Sequence, residues 1–501
     1  MGMKNAQQSS ALVSLLTAAL CLAGCGGNSN NGTTASTSGT PTSGTGSTSG
    51  SGSTSGSGSA GTGSGSTGTG GTGTGTGGTG TGGTGTGGTT TPPTGSPTIT
   101  TQPAPQTVVV GQHALFNVVA TGATGYQWSK NGTAISGATN ATYYTPALAA
   151  GDAGDSFTVA VSNTAGSVTS KSATVSINPN ADGSPPAAFW GNTASLPAAT
   201  NVMTLSIVNA TNGAYPDSQV FWSVKGKTNT GVQVDETHSI AEAPTYDMPA
   251  IQSARMYFYI VPDVTSIGQS NTSYFDFIEF NIGRSSAAQP WNFNGDTTRV
   301  DAFGLKTAIH LHCNDSTTNP TDLQRGEDYG TFLEDRAITF MKYQAETPAE
   351  FSGTLQYAPY RITEPGGSGF GPNGTQANYY QAYIDQVWAA NNIDEAQVPK
   401  PSPFLNFVSN QQPDLSAAME RHVAQNPGTF NANGTLVKGN FWSTISSSTF
   451  YSAAPANYYA QYWHTHGIAG KAYGFPYDDV GGYSSDISCN SPQYLVVAIG
   501  W

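Results

Sequence analysis

The chain has 501 residues and a formal net charge of −13 at pH 7, although only 9% of its residues are charged. Lysine is scarce and the basic residues form no stripe, which argues against nucleic acid as a partner. Acidity combined with many amide, hydroxyl and aromatic side chains suits an exported protein that handles a neutral, polyhydroxylated ligand.

Residues 1–25 are predicted to be an export signal. Lys4 supplies a weak positive start, and the apolar run from Ala11 to Leu22 is too short to span a bilayer. The run ends in Leu22-Ala23-Gly24-Cys25, which resembles a bacterial lipobox, so Cys25 is the expected lipidation site. We therefore expect an exported protein anchored by lipid to a bacterial membrane, with Gly26 favouring the outer one. The alternative is a secreted protein with an ordinary cleaved signal.

Residues 26–97 consist almost entirely of glycine, serine and threonine. Such a segment has no apolar surface to bury, so we predict a disordered linker that acts as a tether.

Residues 98–178 show short alternating runs separated by turn residues, the pattern of an antiparallel β-sandwich. The predicted strands are 106–110, 113–120, 126–130, 156–162 and 168–177. Trp128 resembles the buried tryptophan of an immunoglobulin-like domain, although Val118 and Val159 stand where its disulfide cysteines would be. We expect this domain to serve as a spacer.

Residues 187–501 form a second region, long enough for a substantial core. Strands are predicted at 203–208, 220–225, 254–260, 275–282, 300–305, 307–313, 470–475 and 495–499. Helical spacing appears at 334–346, 379–391, 415–425 and 456–464. This order predicts a β-framework with a helical or α/β insertion at about 320–470, so the fold class is mainly β. Cys313 and Cys489 are the two thiols left in the exported chain, and we expect them to form a disulfide.

Two carboxylates stand out in this second region. Glu279 lies in Tyr-Phe-Asp-Phe-Ile-Glu-Phe-Asn-Ile, and Asp301 lies in Arg-Val-Asp-Ala-Phe-Gly-Leu. If these two strand-like segments pair as neighbours, both acids can lie on one face, as hydrolysis of a glycosidic bond requires. Two acids on neighbouring strands are also common as solvated outer-face residues, so the pair by itself leaves both readings open.

Four stretches of the second region resemble the laminaripentaose-producing β-1,3-glucanases of glycoside hydrolase family 64. They are 276–280 (DFIEF), 300–305 (VDAFGL), 383–388 (YIDQVW) and 471–480 (KAYGFPYDDV), in the family's order. The resemblance implies a thaumatin-like β-barrel or sandwich joined to an α/β subdomain across a wide groove. It also implies endo-acting hydrolysis of β-1,3-glucan with inversion, Glu279 being the general acid and Asp301 the general base. The connection 283–299 is longer than in the relatives, so Trp291 and Asn294 are expected to alter the groove wall.

The mechanism requires Glu279 to retain its proton, through partial desolvation and nearby negative charge, while Asp301 stays ionised. Further substrate-binding candidates are Asn281, Trp291, Arg361, Tyr477, Asp478 and Asp479. No cofactor or metal is expected, and we expect a monomer that binds β-1,3-glucan. A non-catalytic glucan-binding module and a structural adhesin are the competing functions.

Overall fold

The computed structural model describes residues 95–314, 322–401, 413–424 and 445–501. The predicted signal, Cys25 and all of the linker before residue 95 lie outside the described residues. Across these ranges, no helix combines the length and the apolar composition needed to cross a membrane.

The first described region consists of short strands around a core that contains Trp128, Phe116 and Phe157, and its strand pairs are antiparallel except for one parallel pair, 106–108 with 173–177. Trp128 and Val159 are fully buried, and Val118 is almost so. The strands are β1 (Thr98–Thr101), β2 (Gln106–Val108), β3 (Leu115–Asn117), β4 (Val119–Thr121), β5 (Gly125–Lys130), β6 (Thr133–Ala134), β7 (Thr142–Tyr144), β8 (Ser156–Asn163), β9 (Gly166–Thr169) and β10 (Ala173–Ile177). Every predicted run of this region overlaps at least one of these strands, but β1, β6 and β7 were not predicted.

Thirteen strands are described in the second region, and most belong to two sheets. They are β11 (Met203–Ala210), β12 (Val220–Lys227), β13 (Gln233–Ser239), β14 (Thr245–Met248), β15 (Ile251–Ile260), β16 (Phe275–Gly283), β17 (Asn292–Thr297), β18 (Ala302–Phe303), β19 (Lys306–Cys313), β20 (Asp322–Gly326), β21 (Ile362–Thr363), β22 (Ile487–Asn490) and β23 (Pro492–Gly500). One sheet has the order β14-β11-β23-β19-β20, and the other has the order β13-β12-β15-β16-β17-β22. Alternate residues of both sheets meet in one apolar core, which makes this part of the chain mainly β.

The helices lie between residues 329 and 465, within the predicted insertion. They are α1 (Tyr329–Leu333), α2 (Arg336–Glu346), α3 (Gln381–Asn391), α4 (Pro413–Glu420) and α5 (Tyr458–Thr465). Their aromatic side chains form a second core, in which Phe303 of the short strand β18 also takes part. The segment that carries Asp301 is therefore held between the sheets and the helical part.

Two sequence-based strand predictions were wrong. Residues 470–475 contain one isolated bridge, between Tyr473 and Thr298, because positive φ angles at Ala469 and Gly470 turn the backbone just before it. The predicted strand 300–305 shrinks to β18, which pairs with β21 and not with β16. β16 pairs instead with β15 and β17, and β17 lies inside the connection 283–299, where no strand was predicted.

A disulfide joins Cys313 at the end of β19 to Cys489 in β22, as predicted, with 6.3 Å between the Cα atoms. It ties the end of β19 in one sheet to the edge strand β22 of the other.

The first region is in direct contact with the helical part of the second. The side-chain amide of Gln112 donates to Asp328 Oδ2 (2.6 Å) and to the Thr465 carbonyl oxygen (2.8 Å). A cavity of about 290 Å³ at this junction is lined by residues that include Glu346 and His466, and none of its lining residues belongs to the predicted site.

Candidate active site

Glu279 projects from the outward face of β16. Its neighbours Ile278 and Phe280 point into the core and are 1% and 3% exposed, as the alternation predicted. The Glu279 side chain is 42% exposed, so it can reach a bound polymer.

The antiparallel register places a charged residue on each side of Glu279. Arg255 of β15 and Asp296 of β17 are its direct cross-strand partners. Arg255 Nε donates to Glu279 Oε1 at 2.7 Å, and the guanidinium lies 4.6 Å from the ring centroid of Phe277 on the same face. A cation and a second carboxyl therefore flank Glu279, and neither residue was predicted from the sequence.

Asp296 is the second carboxyl beside Glu279. Burial raises the pKa of the Asp296 carboxyl well above its usual range, and the charges of Glu279 and Asp486 raise it further. Asp486 itself accepts two hydrogen bonds from Asn294 Nδ2, at 2.8 and 3.0 Å. The carboxyl at this position is thus in a setting that favours its protonated form.

Asp301 is exposed and lies in the segment between β17 and β18. Its carbonyl oxygen accepts the backbone N–H of Glu364 at 3.3 Å, just beyond the pairing of β18 with β21. Burial raises the pKa of Glu364 to about 7, although the backbone N–H groups of Gly366 and Gly367 oppose the shift, and the charge of Asp301 adds to it.

The segment before Asp301 is held by a buried ion-pair group. Arg299 is almost fully buried; its Nη1 donates to Asp276 Oδ2 at 3.0 Å and its Nε donates to Glu327 Oε1 at 2.7 Å. Asp276 lies on β16, three residues before Glu279 and on the opposite face. The residue two positions before Asp301 is therefore bonded to the strand that carries Glu279.

The segment after Asp301 is bonded to the same carboxylate. Asp276 Oδ2 also accepts the backbone N–H groups of Gly304 (2.8 Å) and Leu305 (3.0 Å). A Cβ at Gly304 would lie 1.9 Å from the Phe275 carbonyl oxygen, so only glycine allows this approach. Asp276 thus holds both ends of the Asp301 segment against β16. The sequence does mark Asp276, because it is an acidic residue at a β16 position where the alternation otherwise places apolar residues.

Three of the predicted substrate-binding residues lie along or beside β16. The Arg361 guanidinium lies 4.1 Å from the ring centroid of Phe275 and donates to the Phe275 carbonyl oxygen. Asn281 shares the outward face with Glu279, and its Oδ1 accepts the Ser253 N–H at 2.7 Å. Trp291 precedes β17, and Arg284 lies over its ring at 4.2 Å.

The predicted group 477–479 divides into two kinds of residue. Asp478 is fully buried, and its oxygens accept from Arg421 (2.6 Å) and Gly474 (2.8 Å) and contact His464 Nε2 (2.7 Å). Burial leaves Asp478 no surface for a sugar, so here it is a structural anchor. Asp479 is exposed, and partial desolvation together with Asp478 raises its pKa. Tyr477, the residue before Asp478, has a positive φ of 69°.

Within the described ranges, no group of three or more histidine, cysteine or acidic side chains is arranged to hold a metal ion. The site is built from carboxyl, guanidinium, amide and aromatic groups. This chemistry suits proton transfer beside a neutral, hydroxyl-rich ligand.

A family model described as Beta-1,3-glucanase (Glyco_hydro_64) matches residues 195–400 and 392–499. Among solved structures, a laminaripentaose-producing β-1,3-glucanase from Paenibacillus barengoltzii is similar at 25% identity and a TM-score of 0.47. That match covers 81% of this chain and all of the other. A β-1,3-glucanase domain from Clostridium beijerinckii is similar at 21% identity and a TM-score of 0.48, over 61% of this chain and all of the other. A comparison with curated proteins found no match. Because the family model spans more than half of the chain, the protein belongs to the β-1,3-glucanases of glycoside hydrolase family 64.

Proposed function

We propose that this β-1,3-glucanase cuts its polymer internally by an inverting mechanism, with Glu279 as the general acid and Asp301 as the general base. Endo-acting hydrolysis of β-1,3-glucan follows from the family. The observation that supports the two roles is the attachment through Asp276, since both ends of the Asp301 segment bond to the strand that carries Glu279.

In this mechanism Glu279 gives its proton to the glycosidic oxygen as the bond to the anomeric carbon breaks. Asp301 removes a proton from the water that attacks the opposite face of the sugar ring. Inversion needs a separation of about 6.5–9.5 Å between the two carboxyl groups, which leaves room for that water. The products are short laminari-oligosaccharides.

The substrate groove in this proposal runs along the outward face of β16, between a thaumatin-like barrel and the helical subdomain. Asn281, Trp291, Tyr477 and Asp479 line it, whereas Arg361 is almost fully buried and packs on Phe275. The alignment of Phe275, Phe277, Glu279 and Asn281 on one strand face supports this assignment, because alternate strand residues share a face. Aromatic rings and guanidinium groups supply stacking surface and hydroxyl-binding donors for a neutral glucan.

The remaining sequence predictions complete the proposal. Lipid on Cys25 anchors the enzyme to the membrane, the linker 26–97 gives it reach, and residues 98–178 form an immunoglobulin-like domain. The contacts of Gln112 with the helical part support a domain that extends the catalytic region as one piece.

The lipid anchor can be tested in cells with radioactive palmitate. The label should appear on the wild type and not on a Cys25→Ser variant, and labelling of both would count against the anchor.

The acid and base roles can be separated with a substrate whose leaving group needs no proton. A β-laminari-oligosaccharyl fluoride is such a substrate, because fluoride departs without acid assistance. Glu279→Gln should lose hydrolysis of the glucan but keep hydrolysis of the fluoride, whereas Asp301→Asn should lose both. NMR should show the α-anomer as the first product of the wild type. A first product in the β-configuration, or fluoride hydrolysis by Asp301→Asn at the wild-type rate, would overturn the assignment.

A further inference from the structure

The carboxyl group of Asp296 stands directly across from that of Glu279. The two residues are Cα partners in the β16–β17 ladder, and both side chains lie on the outward face. Directly opposed residues have Cβ atoms about 4.5–5.5 Å apart, and two like charges in that arrangement repel each other. The sheet could carry any small polar residue at position 296, so the presence of a second carboxyl group opposite Glu279 requires an explanation.

The groups around the pair supply too little positive charge for two carboxylates. Arg255 is on the far side of Glu279 and bonds to it. Asp486, near the start of β22, adds a further negative charge, which Arg325 and the amide of Asn294 partly offset. The phenol of Tyr473 also faces Asp296 and is neutral, since burial raises its pKa.

Asp296 also lacks a donor that would favour its ionised form. In the part of the chain that the structure describes, no side-chain or backbone N–H bonds to its carboxyl, and no cation forms an ion pair with it. A half-buried carboxyl with a carboxylate as its neighbour and no donor retains a proton.

We propose that Glu279 and Asp296 hold one proton between them, and that Asp296 is a positioning residue that keeps the acid proton beside the scissile bond. The inference rests on the proposed role of Glu279. The Glu279 proton passes to the leaving oxygen as the glycosidic C–O bond breaks, and the water oxygen forms the new bond to carbon. The proton removed from that water leaves through Asp301 to solvent, and the pair takes one proton back from solvent.

The coupling matters because Arg255 Nε donates to Glu279 Oε1, and a guanidinium attracts the ionised form of a carboxyl. Where two carboxyl groups share one proton, that proton is lost only at a higher pH than from one such group alone.

The test is the pH profile of kcat/KM on linear β-1,3-glucan for the full chain and the variants Asp296→Asn, Asp296→Glu and Asp235→Asn. Asp235 is an exposed acid on β13 of the same sheet, where it pairs with Lys225, and serves as the matched control. The alkaline limb of the profile reports the acid. In Asp296→Asn the alkaline limb should move to lower pH by about one unit or more. At pH values above that limb, kcat/KM should fall about tenfold. The acidic limb should stay in place. Asp296→Glu and Asp235→Asn should keep the wild-type limbs.

Each other outcome has a distinct meaning. A uniform loss in Asp296→Asn with unmoved limbs would show a purely structural residue and overturn the inference. Full activity of Glu279→Gln would overturn the proposed function itself, and the inference with it. If Asp296→Asn does not fold, judged by circular dichroism, Asp486→Asn replaces it. That variant should move the alkaline limb in the same direction by a smaller amount, and no movement would count against the coupling.

Discussion

Replacing Glu364 by glutamine is expected to stabilise the folded protein at alkaline pH and to leave it unchanged at acid pH. Burial raises the pKa of Glu364 from 4.5 to about 7. Between these two values the unfolded carboxyl has lost its proton while the folded one retains it. Stability therefore falls as pH rises through this window and is constant above it. A shift of this size corresponds to about 3 kcal/mol, since each pKa unit is worth about 1.4 kcal/mol.

Glutamine cannot ionise, but its side-chain oxygen can still accept the Gly366 N–H that Glu364 accepts. The difference in unfolding free energy between Glu364→Gln and wild type should therefore be near zero at about pH 4 and reach about 3 kcal/mol at about pH 8. That difference amounts to several degrees in the thermal midpoint.

The assay is thermal unfolding of both proteins over this pH range. Glu350→Gln, at an exposed glutamate in the same helical part, is the control and should show no such trend. A Glu364→Gln difference that stays constant with pH would refute the reasoning, because it would show that Glu364 ionises alike in the folded and unfolded chain.

Three further substitutions test the framework around the site. Arg299→Met removes the cation between two buried carboxylates and should lower the free energy of unfolding, measured by chemical denaturation, by about 3–5 kcal/mol. Glucan hydrolysis should also be lost, because the Asp301 segment is released. Cys313→Ala opens a loop of 176 residues and should lower the free energy of unfolding by about 5 kcal/mol in the chain-entropy model. The thermal midpoint should be lower than that of wild type, and reducing agent should not lower it further. Gly295→Ala places a Cβ 2.6 Å from the Phe280 Cβ and 2.7 Å from the Glu279 carbonyl oxygen. This substitution should lower the free energy of unfolding by about 1–3 kcal/mol and should lower kcat. A variant with wild-type stability and kcat would show that β17 can shift without consequence.

The strands that sequence alone could predict are those with apolar residues at every second position. β16 is such a strand, and the inward direction of Ile278 and Phe280 was predicted correctly. β17 was missed because only one of its inward positions is apolar: Phe293 is followed by Gly295, which packs its backbone against Phe280 in place of a side chain. A strand whose core contact is made by glycine gives no hydrophobic period.

Both acids of the proposed mechanism were candidates from the sequence, but the groups that surround them were not. Arg255 and Asp296 become neighbours of Glu279 only through the strand register, and register depends on bulges such as the one in β15 at 251–254. The attachment of the Asp301 segment to Asp276 likewise joins residues 23 to 29 positions apart through hydrogen bonds, which leave no periodic pattern.

The central claim is that two carboxyl groups perform the hydrolysis, and its most direct test is reducing-sugar release from linear β-1,3-glucan. Wild type should be compared with Glu279→Gln, Asp301→Asn and the control Asp235→Asn, each shown to be folded and to bind the insoluble polymer. Both site variants should lose about 10²–10⁴-fold in kcat while the control keeps the wild-type rate. A folded Glu279→Gln or Asp301→Asn variant within about tenfold of wild type would contradict the claim.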